Sequence, residues 1–251
     1  MTAEPEVVRA PNRSPFTLDG TRTFLVGKRR VAVIDPGPDV VDHVRALVVR
    51  LEEAEEVRIL LTHGHGDHAG AAPALALALG APVLAGPGTS YKGPHQPLRE
   101  GDAVPTDGGS LVTLEVPGHA RDHLAFHWRE PDALFVGDLV LGRGDTTWLG
   151  EYPGCVKDYL VSLERVRALC PGVLYPAHGP PVTDVTRVLD AYRAHREERL
   201  ARLARVSKER PEATPDELLA LVYGDAFPPR LTRAARASME VMLHHLEPRG
   251  S

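Results

Sequence analysis

The sequence predicts an α/β domain that gives way to a short, purely helical segment. Three observations predict it. Up to residue 180, apolar runs of strand length alternate with segments of helical apolar spacing. Beyond residue 180 no strand pattern occurs. Several of the strand-length runs end directly at a His or Asp beside a Gly.

The elements follow in order. Residues 24–26 and 31–34 are apolar runs separated by Gly27-Lys28-Arg29-Arg30, which predicts a hairpin. Asp35-Pro36-Gly37-Pro38 ends its second strand. Apolar residues at 40, 41, 44, 47, 48 and 51 form a helical stripe, so a helix is expected over 40–56. Residues 57–61 read as a buried strand, 71–79 as a small buried helix stopped by Gly80, and 82–85 as a strand. Three prolines and three glycines make 86–97 a loop. Strands are expected at 111–116, 124–128 and 133–136, a helix at 156–169 and a strand at 173–175. An Arg- and Glu-rich helix spans 184–205. Thr214-Pro215-Asp216-Glu217 has the form of a capping box opening another helix, and 231–246 is the last. The expected division is an α/β domain at 1–183, a connecting helix at 184–206 and a small helical domain at 207–251.

Composition narrows the function classes. The 251 residues carry a net charge of -5, which argues against broad, nonspecific nucleic-acid binding but leaves room for a local basic groove. The two cysteines, Cys155 and Cys170, form no CxxC pair and read as free thiols. The opening MTAEPEVVRAPNRSP has no apolar core of a secretory signal, and no apolar run approaches the roughly 18 residues of a membrane span. The expectation is a cytoplasmic protein with no membrane partner. Its oligomeric state stays open, a dimer included.

The chemistry centres on His63-Gly64-His65-Gly66-Asp67-His68, placed after a strand and before a helix. Imidazole and carboxylate are the usual protein ligands of zinc and similar divalent ions. His63 and His65, two apart in a loop, can aim at one ion, and Asp67 and His68 at a second. His119, Asp138 and His178 stand at ends of other expected strands. Singly each is a weak signal, but together they supply the ligand count that two ions need. His63, His65 and His119 would take one ion, and Asp67, His68 and His178 the other. Asp138 would bridge them. Zinc is the first expectation, and mixed N and O ligands also accept iron or manganese.

The set THGHGDH at 62–68, PGH at 117–119, GD at 137–138 and PAHG at 176–179 resembles the metallo-beta-lactamase fold superfamily in order and spacing across roughly residues 20–180. That resemblance implies a four-layer αββα sandwich and a hydrolase. It also implies that Asp35 supports the site from behind without ligating metal. GTRTFLVG at 20–27, PGHARDHLAF, GDLVLGRGDTT, YPAHGP and the helix AYRAHREERL at 191–200 are similar to the lactamase-beta-2-like branch. In that branch a small winged-helix-like domain follows, and animal members are endoribonucleases cutting single-stranded RNA. Two departures stand out. Arg22 replaces the branch's usual Asn, with an expected effect on the pocket floor, and the tail lacks strands for a wing.

The implied reaction is attack by a hydroxide bridging two ions, with Asp67 orienting it and Asp138 fixing the spacing. His123 is expected to support the ligands from behind. Arg143, Thr146 and Thr147, in the Gly-rich loop after Asp138, are candidate substrate contacts. The substrate is single-stranded RNA or, alternatively, a small-molecule ester, thioester (glyoxalase II-like) or lactone. A non-enzymatic metal-binding scaffold with a partner-binding tail is the remaining alternative.

Overall fold

The computed structural model describes residues 4–224 and 231–247. Of the expected tail, residues 225–230 and 248–251 lie outside the described residues. The first half supplies β1 (Glu6–Arg9), β2 (Arg22–Val26), β3 (Arg30–Ile34), α1 (Val41–Arg50), β4 (Glu56–Leu60), α2 (Gly66–Ala69), α3 (Ala72–Leu79), β5 (Val83–Ala85) and β6 (Gln96–Pro97). These strands form one sheet in chain order, with β1, β2 and β3 antiparallel and β3 to β6 parallel. The second half supplies β7 (Ala103–Thr106), β8 (Gly109–Glu115), β9 (Leu124–Trp128), β10 (Ala133–Gly137), α4 (Cys155–Leu169), β11 (Val173–Pro176), α5 (Val185–Glu209), α6 (Pro215–Tyr223) and α7 (Thr232–Leu246). Its sheet runs β11-β10-β9-β8-β7.

Strand periodicity explains the layering. In β3, Ala32 and Ile34 join Phe24, Leu60, Phe126 and Phe135 in an apolar layer between the two sheets. Val31 and Val33 point the other way, against Leu47, Leu51 and Leu75 under α1 and α3. A strand buried on both faces needs apolar residues throughout, which is why 31–34 reads as an unbroken run. The outer face of the second sheet contributes Ala125, Leu134 and Val136 to a third cluster with α4, α5, α6 and α7. The order helix, sheet, sheet, helix is the expected αββα sandwich, and α6 and α7 form the helical region after it. Each large apolar side chain so buried contributes about 1.5–3 kcal/mol.

Several elements differ from expectation. Helix α1 stops at Arg50, short of residue 56. There the amides of Glu55 and Glu56 donate to the Arg29 carbonyl at 2.7 and 3.0 Å and start β4 beside β3. Helix α3 is not wholly buried: Ala72 and Leu75 face the core, while Leu77 is 87% exposed. Strands β1, β6 and β7 are not predicted by the pattern. β6 and β7 each contain a proline, which confines them to sheet edges. The capping box of α6 is formed as expected: the Thr214 hydroxyl accepts from the Glu217 amide and the Glu217 carboxylate accepts from the Thr214 amide. Cys155 is buried, Cys170 exposed, and both are free thiols. Among the described residues no helix is long and apolar enough to cross a membrane.

Candidate metal centre

Residues at or beyond the ends of β4, β8, β10 and β11 meet at one edge of the sandwich. His63 and His65 leave the end of β4, and α2 carries Asp67 and His68. His119 lies in the turn from β8 to β9, Asp138 follows β10, and His178 follows β11. The β10–β11 register shifts between Phe135 and Gly137, and Gly137 adopts φ +49°. A Cβ at Gly137 would stand 2.7 Å from Thr62 Oγ1 and 2.8 Å from His123 Nε2. Glycine therefore lets Asp138 approach the histidines.

The structure brings all seven expected ligands together. Ligand atoms of His63, His65 and His119 lie within 4.8 Å of one another, as do those of Asp67, His68 and His178, and those of His63, His68 and Asp138. Asp138 stands between the first two groups. Its Oδ2 is 3.6 Å from both His68 Nε2 and His119 Nε2, and its Oδ1 is 3.4 Å from His178 Nε2.

Hydrogen bonds behind the ligands set which nitrogen each one presents. Asp35, the expected support, accepts from the Thr62 amide at 2.8 Å, the Thr62 hydroxyl at 2.7 Å and His68 Nδ1 at 2.8 Å. The Thr62 hydroxyl thus donates to Asp35 and accepts from His63 Nδ1 at 3.0 Å. The Trp148 carbonyl can only accept, so His119 Nδ1 donates to it at 2.8 Å. Glu151 Oε1 lies 3.4 Å from His65 Nε2 and favours a proton there. The lone pairs left over are His63 Nε2, His65 Nδ1, His68 Nε2 and His119 Nε2.

The donor set fits divalent cations. His65 Nδ1 faces His63 Nε2 at 2.9 Å and His119 Nε2 at 3.1 Å. Three lone pairs so close repel unless a cation lies among them, and tetrahedral ligation at zinc spaces nitrogens at about 3.3 Å. His68 Nε2, Asp138 Oδ1 and both His178 nitrogens are buried without a hydrogen-bond partner among the described residues.

Electrostatics point the same way. Burial opposes charge on His68, yet Asp138, Asp35 and Asp67 outweigh it and hold its pKa well above the usual imidazole range. Burial, reinforced by the surrounding histidines, holds His63 well below that range. Burial also pulls His119 down, against the attraction of Asp138. For Asp67, burial is outweighed by His68 and His178, and its carboxyl is held down to about 2.

His123 packs behind the cluster. It stacks on His63 with ring centroids 4.8 Å apart, and its Nε2 accepts the Asp138 amide at 3.1 Å. The pocket expectations fare unevenly. Thr146 and Thr147 line a cavity of about 840 Å³ that opens onto His65, Asp67, His119 and Asp138. Arg143 is exposed and lies outside that lining, and Arg22 is also absent from the floor. Asp19 draws the Arg22 guanidinium aside with bonds of 3.0 and 2.9 Å.

Some contributors escaped the sequence reading. Buried Asp122 accepts the Gly64 amide at 3.0 Å and fixes the turn between His63 and His65. The adjacency Asp122-His123, just after His119, is its only signal in the sequence. Segment 147–149 is held from the C-terminal helices. Arg196 of α5 donates to the Thr147 carbonyl at 2.9 Å, Ser238 of α7 donates to the Leu149 carbonyl, and Trp148 Nε1 donates to the Ala234 carbonyl at 3.1 Å.

The chain and its fold are similar to known proteins. The family model described as the metallo-beta-lactamase superfamily matches residues 17–178. The chain belongs to the metallo-beta-lactamase superfamily. The Caenorhabditis elegans beta-lactamase-like protein 2 homolog is 31% identical over 245 residues, covering 94% of this chain and 81% of that protein. An atrochrysone carboxyl ACP thioesterase of Aspergillus chevalieri is 37% identical over 202 residues, 75% of this chain but only 61% of its own length. A metallo-beta-lactamase family protein from Thermus thermophilus shares the fold with TM-score 0.80 at 24% identity, covering 96% of this chain and 92% of its own. The solved structure of TTHA1623 in a di-iron-bound form is 29% identical with TM-score 0.55, covering 72% of this chain and 94% of its own. As a superfamily member with this donor set, the chain is a metal-dependent hydrolase.

Proposed function

We propose that this chain hydrolyses an ester or thioester of a largely apolar acyl group at a two-ion centre. His63, His65 and His119 would hold one ion, Asp67, His68 and His178 the other, and Asp138 would bridge. The observation that carries the reading is the cavity: His65, Asp67, His119 and Asp138 line it, and Phe16, Leu141, Trp148 and Leu231 give it apolar walls. An apolar slot suits an acyl chain better than a polyanion. The thioesterase relatives support the same reading, and the net charge of -5 weighs against extended nucleic acid.

Two divalent ions, if held by these residues, would supply an acidified water and polarise the attacked carbonyl. The chain's own residues do the rest. Asp67 lines the cavity and is held ionised, so it can accept a hydrogen bond from the attacking water and orient it. The Thr62–Asp35–His68 bonds keep imidazole protons on the far side of the ligands, away from the reacting atoms. Trp148 and Leu141 exclude bulk water from one side. Zinc is the ion we expect, with iron and manganese compatible with the same ligands.

Cleavage of single-stranded RNA is the second reading. It is favoured by the motifs' resemblance to the lactamase-beta-2-like branch and by arginines in the cavity wall. A panel separates the two: acyl thioesters, p-nitrophenyl esters, a lactone and a fluorescent RNA oligomer, each with metal-loaded protein. Asp67→Asn and His65→Ala serve as controls. Thioester or ester turnover abolished by both substitutions supports the proposal. RNA cleavage abolished by both, with no acyl turnover, replaces it with the second reading.

A further inference from the structure

The cavity is electrically lopsided. Among the described residues, the acids in its lining are Asp67 and Asp138, both at the metal end. The wall from α5 and α7 presents Arg196, Arg199 and Arg233, with His195 beside them. None of these arginines forms an ion pair with a carboxylate among the described residues. Arg196 is only 4% exposed, gives Nη2 to the Thr147 carbonyl, and leaves Nε without a partner. Arg199 gives Nη1 to the Val222 carbonyl at 2.9 Å and lies 4.6 Å over the Tyr223 ring. His195 has Asp145 at 3.4 Å, but Asp145 stands outside the lining.

Arg196 is a cation withdrawn from water without counter-charge, which is unfavourable unless an anion comes near it; beside it Arg199 is half-buried and Arg233 is exposed, so both can be reached by a ligand in the cavity. Surface arginines of this chain find carboxylates readily: Arg193 pairs with Glu164 and Glu197, and Arg167 with Asp190. Those facing the cavity do not. Guanidinium groups are also well suited to phosphate and carboxylate.

We propose that the wall formed by Arg199 and Arg233, backed by Arg196, is a subsite for an anionic group on the substrate, remote from the bond that is cleaved. The substrate class is then an acyl thioester or ester with an apolar middle and a phosphate or carboxylate at one end. This rests on the acyl-hydrolase reading above and adds a charge requirement to it. The anion can sit on the thiol side, as the phosphates of a pantetheine-bearing carrier do, or on the acyl side, as in a dicarboxylic half-thioester.

The test uses metal-loaded full-length protein and three thioesters: hexanoyl-N-acetylcysteamine, which is neutral, hexanoyl-coenzyme A, and the adipyl half-thioester of N-acetylcysteamine. Arg199→Met, Arg233→Met and the double substitution keep the apolar stem and remove the charge. One anionic thioester should show a KM roughly tenfold or more below that of the neutral one, an advantage that shrinks with added salt. The double variant should raise that KM roughly tenfold to a hundredfold and change the neutral substrate less than about twofold. Arg199→Lys should restore part of the loss. The arm that responds says which side carries the anion. Equal KM for all three, or an equal effect of the variants on all three, overturns the subsite.

Binding separates failure of the subsite from failure of the acyl-hydrolase reading. Coenzyme A and adipate are titrated into metal-free protein, following tryptophan fluorescence. If no thioester is hydrolysed yet one of them binds, and binds more weakly to the double variant, the acyl reading fails and the subsite stands. If neither binds, the subsite fails.

Discussion

Nδ1 of His119 donates its proton to the main-chain carbonyl of Trp148 at 2.8 Å, so a candidate metal ligand is oriented by a loop and not by a side chain. That loop is braced in turn by Ser238 and Arg196. Ser238→Ala removes the hydroxyl that holds the Leu149 carbonyl. Metal affinity should fall roughly tenfold to a hundredfold, the usual effect of losing support behind a ligand, with helical content unchanged. Competition against a chelator reads the affinity, and Ser238→Thr should recover most of it. Wild-type affinity in Ser238→Ala would mean that the brace has no bearing on His119.

Asp35 sits at φ +50°, a conformation that Asn also tolerates, so Asp35→Asn perturbs charge and hydrogen bonding more than backbone. An amide cannot accept all three hydrogen bonds now made by the carboxylate. The expected cost is about 2–4 kcal/mol of stability, with weaker metal binding. Chemical denaturation of metal-free protein measures the first, and metal titration the second. A metal-free protein as stable as wild type would show that the network only tunes the ligands.

Gly137→Ala should be severe for its size. The new methyl group meets Thr62 Oγ1 and the His123 ring at under 3 Å, at a positive φ. A loss of roughly 2 kcal/mol or more is expected, together with displacement of Asp138. Thermal melting and metal stoichiometry report these effects separately.

Asp107 ties the two sheets together at their hairpin ends, accepting from the amides of Lys28, Arg29 and Arg30 at 2.8, 3.0 and 3.2 Å. The Arg29 amide contributes most to holding its carboxyl down to about 2, from an ordinary 3.8. A depressed carboxyl stabilises the fold fully above the unfolded value and loses that contribution as pH falls through the folded value. The melting temperature of wild type should therefore drop between about pH 4 and pH 2 by more than that of Asp107→Asn, which has no such proton to take up. Parallel curves for the two proteins over that window would rule this out.

The sandwich was largely legible because strands buried on both faces must be apolar throughout, and helices with one wet face must show a 3.6 period. Residues 31–34 and the stripe from Val40 to Leu51 display the two rules side by side. The edge strands β1, β6 and β7 were not, because an edge loses little by carrying polar residues or proline. The candidate cluster was legible where its spacing is local, in His63 to His68, and at His119, Asp138 and His178 through the strands they follow. The bracing role of residues 147–149 left no signature, although Thr147 was marked for the pocket, since it acts through carbonyls that every residue possesses. Arg143 was favoured by its nearness in sequence to Asp138, but the chain turns it into solvent. Arg196 and Arg199 lie among other charges of α5, and only the packing of that helix tells the cavity-facing ones from Arg193.

The joint use of α7 as cavity wall and as brace for residues 147–149 has an engineering consequence. Exchanging C-terminal segments between relatives to change substrate preference cannot be a modular operation. A graft that replaces α7 also replaces Ser238 and can shift the carbonyl at position 234, and so retunes His119 along with the pocket. Chimeras that carry residues 147–149 and their helical partners across as one unit should keep their metal, while those cut at the start of α5 should need to be reloaded with it.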